Sequence, residues 1–215
     1  MEFVVVKSVR LTVLALLGAV ALGCGAADDS GVPAGEAAPQ ADGPMRYRET
    51  PPDDLARGQY KRSHDAADPD VTLAELMAGQ VEDPTAVFGA YDPVRENAND
   101  ISLSVTGVTG TVLSPVTARD ELLRILDRRD NDPQALVGPR SITPNGSREP
   151  LTCRVTTRTS PDVDFSTLEA SCTWADESAV LKVNKVMRSG VDAGDVDLDA
   201  LAAESSTIRD DLRVN

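Results

Sequence analysis

The chain has 215 residues, a formal net charge of −14 and only 3% aromatic residues. That balance, without a basic stripe interleaved with aromatics, excludes nucleic acid as a partner, because neutralising phosphates needs clustered Lys and Arg. With three cysteines and a single histidine, His64, the sequence also lacks the ligand supply of a zinc site.

The first element in chain order is the apolar run from Leu11 to Cys24, preceded by Lys7 and Arg10. An apolar stretch of this size behind a short cationic segment fits the hydrophobic region of a signal peptide, whereas a bilayer-spanning helix needs about 20 residues. The run closes on Ala21-Leu22-Gly23-Cys24. This resembles the lipobox of bacterial lipoproteins, with Ala21 where leucine is customary. The resemblance implies that residues 1–23 are removed, that Cys24 carries diacylglycerol on its sulfur, and that the protein is exported and held on the outer face of the cytoplasmic membrane. A diacylglyceryl group supplies the two chains that stable anchoring requires.

From Gly25 to about Asp70 the composition is rich in Ala, Gly, Pro and Asp and shows no apolar periodicity. Such a segment cannot bury enough apolar surface to offset its ordering entropy. Residues 24–83 therefore read as the anchor site and a disordered, acidic tether, of which the stretch to about Asp70 reaches on the order of 35–40 Å as a flexible coil. Tyr47, Tyr60, Arg46, Arg48, Arg57, Lys61 and Arg62 lie within it, as a solvated linker or as a partner motif. Thr72-Leu73-Ala74-Glu75 matches a capping box and opens a short helix ended by Gly79.

The folded domain is placed at residues 84–215. Thr85–Tyr91 reads as a strand, and Ile101, Leu103 and Val105 alternate with Ser102 and Ser104 as the buried face of another. Gly107 and Gly110 read as a turn. Ser114-Pro115 opens a helix with Val116, Leu122, Leu123 and Leu126 as its stripe and Asp132-Pro133 at its end. Pro139–Pro150 reads as a loop.

Leu151, Cys153 and Val155 share one strand face, as do Leu168, Ala170, Cys172 and Trp174. In an exported chain that commits Cys24 to an anchor, the remaining pair reads as a disulfide. A hairpin that sets Cys153 opposite Cys172 also sets Val155 opposite Ala170 and Leu151 opposite Trp174, so every apolar residue meets an apolar or small one. Ala179–Val186 is a further strand, with a bulge expected at Lys185-Val186. Leu198, Leu201, Ser205, Ile208 and Leu212 recur at helical spacing, with Asp195, Asp197 and Asp199 at the positive end of that helix. The sum is an α+β domain: an antiparallel sheet of about five strands with two helices on one face.

The folded region carries no nucleophile elbow, free thiol, histidine base or phosphate loop. The run Asp192, Asp195, Asp197, Asp199 fails as a calcium loop, since Ala200 stands where glycine is needed and Ser206 where the bidentate Glu belongs. No cofactor or metal is expected. A carboxylate pair acting as in glycosidases stays open, though spacing singles out no two acids. The paired cysteines with Cys172-Thr173-Trp174-Ala175-Asp176 resemble uncharacterised lipoproteins and membrane-anchored proteins of actinobacteria, a likeness that brings no activity with it. Trp174 either packs beside the disulfide or, with Asp176, edges a ligand groove. The expected function is a lipid-anchored extracytoplasmic binding or envelope-associated module without catalysis. The alternatives are a small cell-envelope hydrolase using carboxylates not yet identified, and a regulatory partner of a membrane protein.

Overall fold

A computed structural model describes residues 45–214 except 65–69, 96–98, 148 and 160–165. The signal-peptide run, Cys24 and the tether as far as residue 44 lie outside the described residues. The chain runs β1 (Arg46–Tyr47), β2 (Asp54–Leu55), β3 (Tyr60–Arg62), α1 (Val71–Met77), β4 (Val81–Pro93), β5 (Asp100–Val112), α2 (Pro115–Arg129), β6 (Gln134–Ile142), β7 (Leu151–Thr159), β8 (Ser166–Ala175), β9 (Ala179–Met187), a 3₁₀ turn (Ala193–Asp195), α3 (Leu198–Leu212) and β10 (Arg213–Val214). Eight strands form one antiparallel sheet in the order β2-β3-β4-β5-β9-β8-β7-β6, and β1 pairs with β10 in a second sheet of two.

This corrects the expected five strands and two helices on one face: the main sheet has eight strands and the described residues hold three α-helices. Strand alternation divides the core in two. Val108 and Val180 join Leu73, Met77, Leu122 and Leu126 under α1 and α2. Leu103, Val105, Leu181 and Val183 join Leu198, Ala202, Ile208 and Leu212 under α3. Residues of opposite parity on β5 and β9 thus serve opposite helices, so the sheet is covered on both faces.

The missed strands are those that carry no alternating pattern. β6 is an edge strand exposed along nearly its whole length, so no face of it is selected for apolar residues. β1, β2, β3 and β10 span two or three residues each, too few for a period to register. The tether also ends sooner than expected. Tyr47, Leu55 and Tyr60 are buried in the α3-side core, so at least residues 45–64 belong to the fold.

Local predictions fare unevenly. The cysteine hairpin is found in the expected register, with Cys153 opposite Cys172 and Val155 opposite Ala170, and the disulfide is formed. β5 runs straight through the expected turn at Gly107 and Gly110. At Gly107 a Cβ would lie 2.1 Å from the Val180 carbonyl oxygen, so this glycine serves the close approach of β9, not a reversal. The first helix starts two residues earlier than a Thr72 cap would place it, because Asp70 is the N-cap and its side chain accepts the Thr72 backbone N–H. The α2 stripe holds at Leu122 and Leu126, while Val116 is exposed.

Candidate functional site

Trp174 and Asp176 end up in a latch. Trp174 is buried and donates its indole N–H to the Tyr47 hydroxyl at 3.3 Å. Tyr47 donates to Asp176 Oδ2, and Arg213 Nε donates to the Tyr47 oxygen at 3.2 Å. Burial, and then the neighbouring Asp176 carboxylate, hold the Tyr47 hydroxyl well above its ordinary pKa. Asp176 Oδ1 accepts the backbone N–H groups of Ser178 and Ala179, fixing the β8–β9 turn. The group ties β1, β8 and β10 together. Neither Trp174 nor Asp176 lines the cavities described below.

A different cluster is assembled by the register of β5. Asp100 stands opposite Met187 and Ser102 opposite Val186, so Ile101 is an extra residue, a bulge. Regular alternation would turn Ile101 to the α3 face with Leu103. The bulge instead exposes Ile101 at 49% and places Asp100, 4% exposed, in the inward position. A bulge re-aiming one side chain is a recurrent device beside binding and catalytic sites. The irregularity expected at Lys185-Val186 therefore exists at that height, but on the neighbouring strand, since β9 keeps register with β8 through Lys185 and Val186.

Asp100 contacts Tyr60 and Lys185, and through both of them joins Glu204, each from a separate element. The Tyr60 hydroxyl of β3 lies 2.8 Å from Asp100 Oδ2 and 3.0 Å from Glu204 Oε1 of α3. Lys185 Nζ of β9 donates to Glu204 Oε2 at 2.8 Å and lies 3.5 Å from Asp100 Oδ2. The same ammonium sits 5.3 Å from the centre of the Tyr60 ring, a cation–π distance. Burial, reinforced by both carboxylates, raises the Tyr60 pKa far above its ordinary value, so the hydroxyl keeps its proton. One proton cannot serve two carboxylates. With Asp100 the nearer acceptor, Glu204 Oε1 faces a hydroxyl lone pair, and one Lys against two acids leaves a net negative charge.

Asp100, Lys185 and Glu204 line two cavities, and Tyr60 lines the smaller of them. The larger, about 530 Å³, lies between α3, the β2–β3 turn and the segment after β9, with Met187, Val191, Val196 and Leu201 as its apolar wall. The smaller, about 360 Å³, lies toward Pro93 and Arg95. Gln59, Asp100, Lys185 and Glu204 line both. Ala170, the cross-strand neighbour of Lys185, lines the larger one as a small residue.

Two further polar clusters belong to the frame. Across α3 a cavity of about 690 Å³ is lined by Arg209, Arg213 and Glu149. Arg209 is 2% exposed there and donates to Ser147 at 2.6 Å, with Glu149 at 3.2 Å from its Nη1. On the opposite face of the sheet, Arg154 forms a two-pronged ion pair with Asp127 of α2, beside buried Glu169 and Lys182. Among the described residues no group of His, Cys, Asp and Glu is arranged to hold a metal. No helix there is long and apolar enough to cross a membrane.

Comparison of the chain with protein-family models, with curated proteins and with solved structures finds no match. The sequence singled out neither Asp100 nor Glu204, and placed Tyr60 in a tether. The signal that could have found them is weak: an Asp immediately before an alternating strand, and a lone Glu on the apolar side of an amphipathic helix.

Proposed function

We propose that the protein is a lipid-anchored extracytoplasmic binding module, held on the outer face of the cytoplasmic membrane by a diacylglyceryl group on Cys24, with its ligand site in the cavity between α3 and the sheet. The observation that carries the site is the Tyr60–Asp100–Lys185–Glu204 cluster. Asp100, Lys185 and Glu204, from three elements, line a concavity of small-molecule size with an apolar wall, and Tyr60, from a fourth, bonds both carboxylates from behind; a few polar groups converging on an apolar concavity is the general form of a ligand pocket. The buried Cys153–Cys172 disulfide supports export, because such bonds persist in oxidising compartments.

A thermal-shift screen of the full chain against small polar compounds tests the site: stabilisation by a ligand that disappears in Glu204→Gln supports it, and stabilisation indifferent to that change removes it. For the anchor, Cys24→Ser releases the protein from membranes if the reading is right. Unchanged retention and unchanged electrophoretic mobility would refute it.

The second reading, a small envelope hydrolase, is favoured by one observation: Asp100 and Glu204 flank a single hydroxyl. Binding takes precedence because both carboxylates are already engaged, Asp100 by the Tyr60 hydroxyl and Glu204 by the Lys185 ammonium, which makes them poorer candidates for the acid and the base or nucleophile of a glycosidase pair. Turnover of a glycoside panel, abolished equally by Asp100→Asn and Glu204→Gln, would reverse that order.

A further inference from the structure

The larger cavity has two poles. At its floor, Asp100 and Glu204 share one hydroxyl proton and one ammonium, so two acidic groups there face a single cation. At its rim stands Arg57, in the β2–β3 turn. Arg57 has no hydrogen-bond or ion-pair partner among the described residues, although Asp195, Asp197 and Glu204 line the same cavity. Its backbone is held in the left-handed region at φ +57°, next to Ala56 at +50°. That conformation costs a non-glycine residue energy. The turn is kept in place by the Ala56 backbone N–H, which donates to Asp211 Oδ2 of α3 at 2.7 Å. The fold thus spends conformational strain on holding an unpaired guanidinium over the cavity. Met187, Val191 and Leu201 line the same cavity and give it an apolar wall.

We infer that this cavity takes a zwitterion of amino-acid or short-peptide size with an apolar side chain: its ammonium on Asp100 and Glu204, its carboxylate on Arg57, its side chain against Met187, Val191 and Leu201. The ammonium supplies the second positive charge opposite the two acids at the floor. The carboxylate meets the planar fork of donors that guanidinium presents to it. A plain amine would satisfy the floor and leave Arg57 unused, and a plain acid would do the reverse. The inference rests on the reading of this cavity as the ligand site.

The test uses the full chain and calorimetric titration with leucine, leucyl-glycine, isopentylamine (leucine without its carboxylate) and 4-methylpentanoate (leucine without its ammonium). Leucine or leucyl-glycine is expected to bind at least tenfold more tightly than either truncated probe. Arg57→Gly removes the guanidinium while relieving the left-handed backbone, so the variant folds at least as well as the parent; it should erase the advantage of leucine over isopentylamine. Glu204→Gln should weaken leucine and isopentylamine together and leave 4-methylpentanoate unchanged. Isopentylamine binding as tightly as leucine, or leucine affinity unaltered in Arg57→Gly, overturns the inference. So does silence from both zwitterions at millimolar concentration. In any of these cases, a different compound whose stabilisation of the chain is lost in Glu204→Gln leaves the cavity as the ligand site and rejects only the ligand class. If no compound behaves so, the site itself is rejected.

Discussion

Lys182 and Lys185 stand three residues apart on β9 and, by strand alternation, on opposite faces of the sheet. Lys182 points under α2. It is 6% exposed and its amine is held below its ordinary pKa, first by burial and then by the like charge of Arg154, against the opposing pull of Glu169, Asp130 and Asp127. Lys185 points toward α3 and has Glu204, Asp100 and the Tyr60 ring around it. Both faces set acids around their lysine, but the α2 face has closed over its own, whereas the α3 face has left cavities beside it. A buried charge is therefore not by itself a sign of function here. What marks the α3 side is convergence from several elements onto open space.

The largest effect expected from breaking this contrast comes from Lys185→Met. It strands two carboxylates, one fully buried, and should cost about 3 kcal/mol of stability in urea unfolding. A loss below about 0.5 kcal/mol would mean the cluster is solvated as a surface pair is.

Next comes the disulfide on the α3 side. Replacing both Cys153 and Cys172 by Ala should cost about 3 kcal/mol, since the bond closes a loop over a sequence separation of 19. Differential scanning calorimetry checks this, and an unchanged melting temperature would contradict it.

Lys182→Met should act in the opposite direction to Lys185→Met, stabilising by about 1 kcal/mol, because an apolar residue of similar volume replaces an amine whose burial outweighs the attraction of Glu169, Asp130 and Asp127. The sign with pH follows from linkage. The folded amine has the lower pKa, so the unfolded chain binds more protons between the folded value and the ordinary one. Parent stability therefore rises with pH across that alkaline range, and Lys182→Met flattens the rise. A profile identical in the two proteins would show that Lys182 does not carry it.

The smallest effect is at the bulge. Ile101→Ser, at an exposed position, should change stability by less than about 0.5 kcal/mol, where an inward isoleucine would cost several times that.

Ile101 also shows where sequence reasoning stops. The alternation Ile101, Leu103, Val105 was legible, and two of the three residues are buried as it requires. The bulge is set by the pairing of β5 with β9, which are far apart in sequence, so no local pattern announces it. The same holds for Tyr60 and Glu204, which meet Asp100 only through the sheet order and the docking of α3. The hairpin of Cys153 and Cys172 was legible because its register is decided within one pair of adjacent strands. The α3 stripe was legible because a helix is its own ruler. Residues 45–64 were not: their burial depends on Tyr47, Leu55 and Tyr60 inserting singly among polar neighbours, which leaves the average composition of a linker.

The pairing of β1 with β10 has a mechanical consequence. Arg46 lies opposite Val214, and the Arg48 backbone N–H bonds the Leu212 carbonyl at 2.9 Å, so the point where the chain enters the fold is bonded to the end of the helix that carries Glu204. A pull applied through the entry loads those bonds and the Tyr47 latch in shear against α3 before it reaches β2 and β3. Tension at the entry thus acts on the helix that carries Glu204.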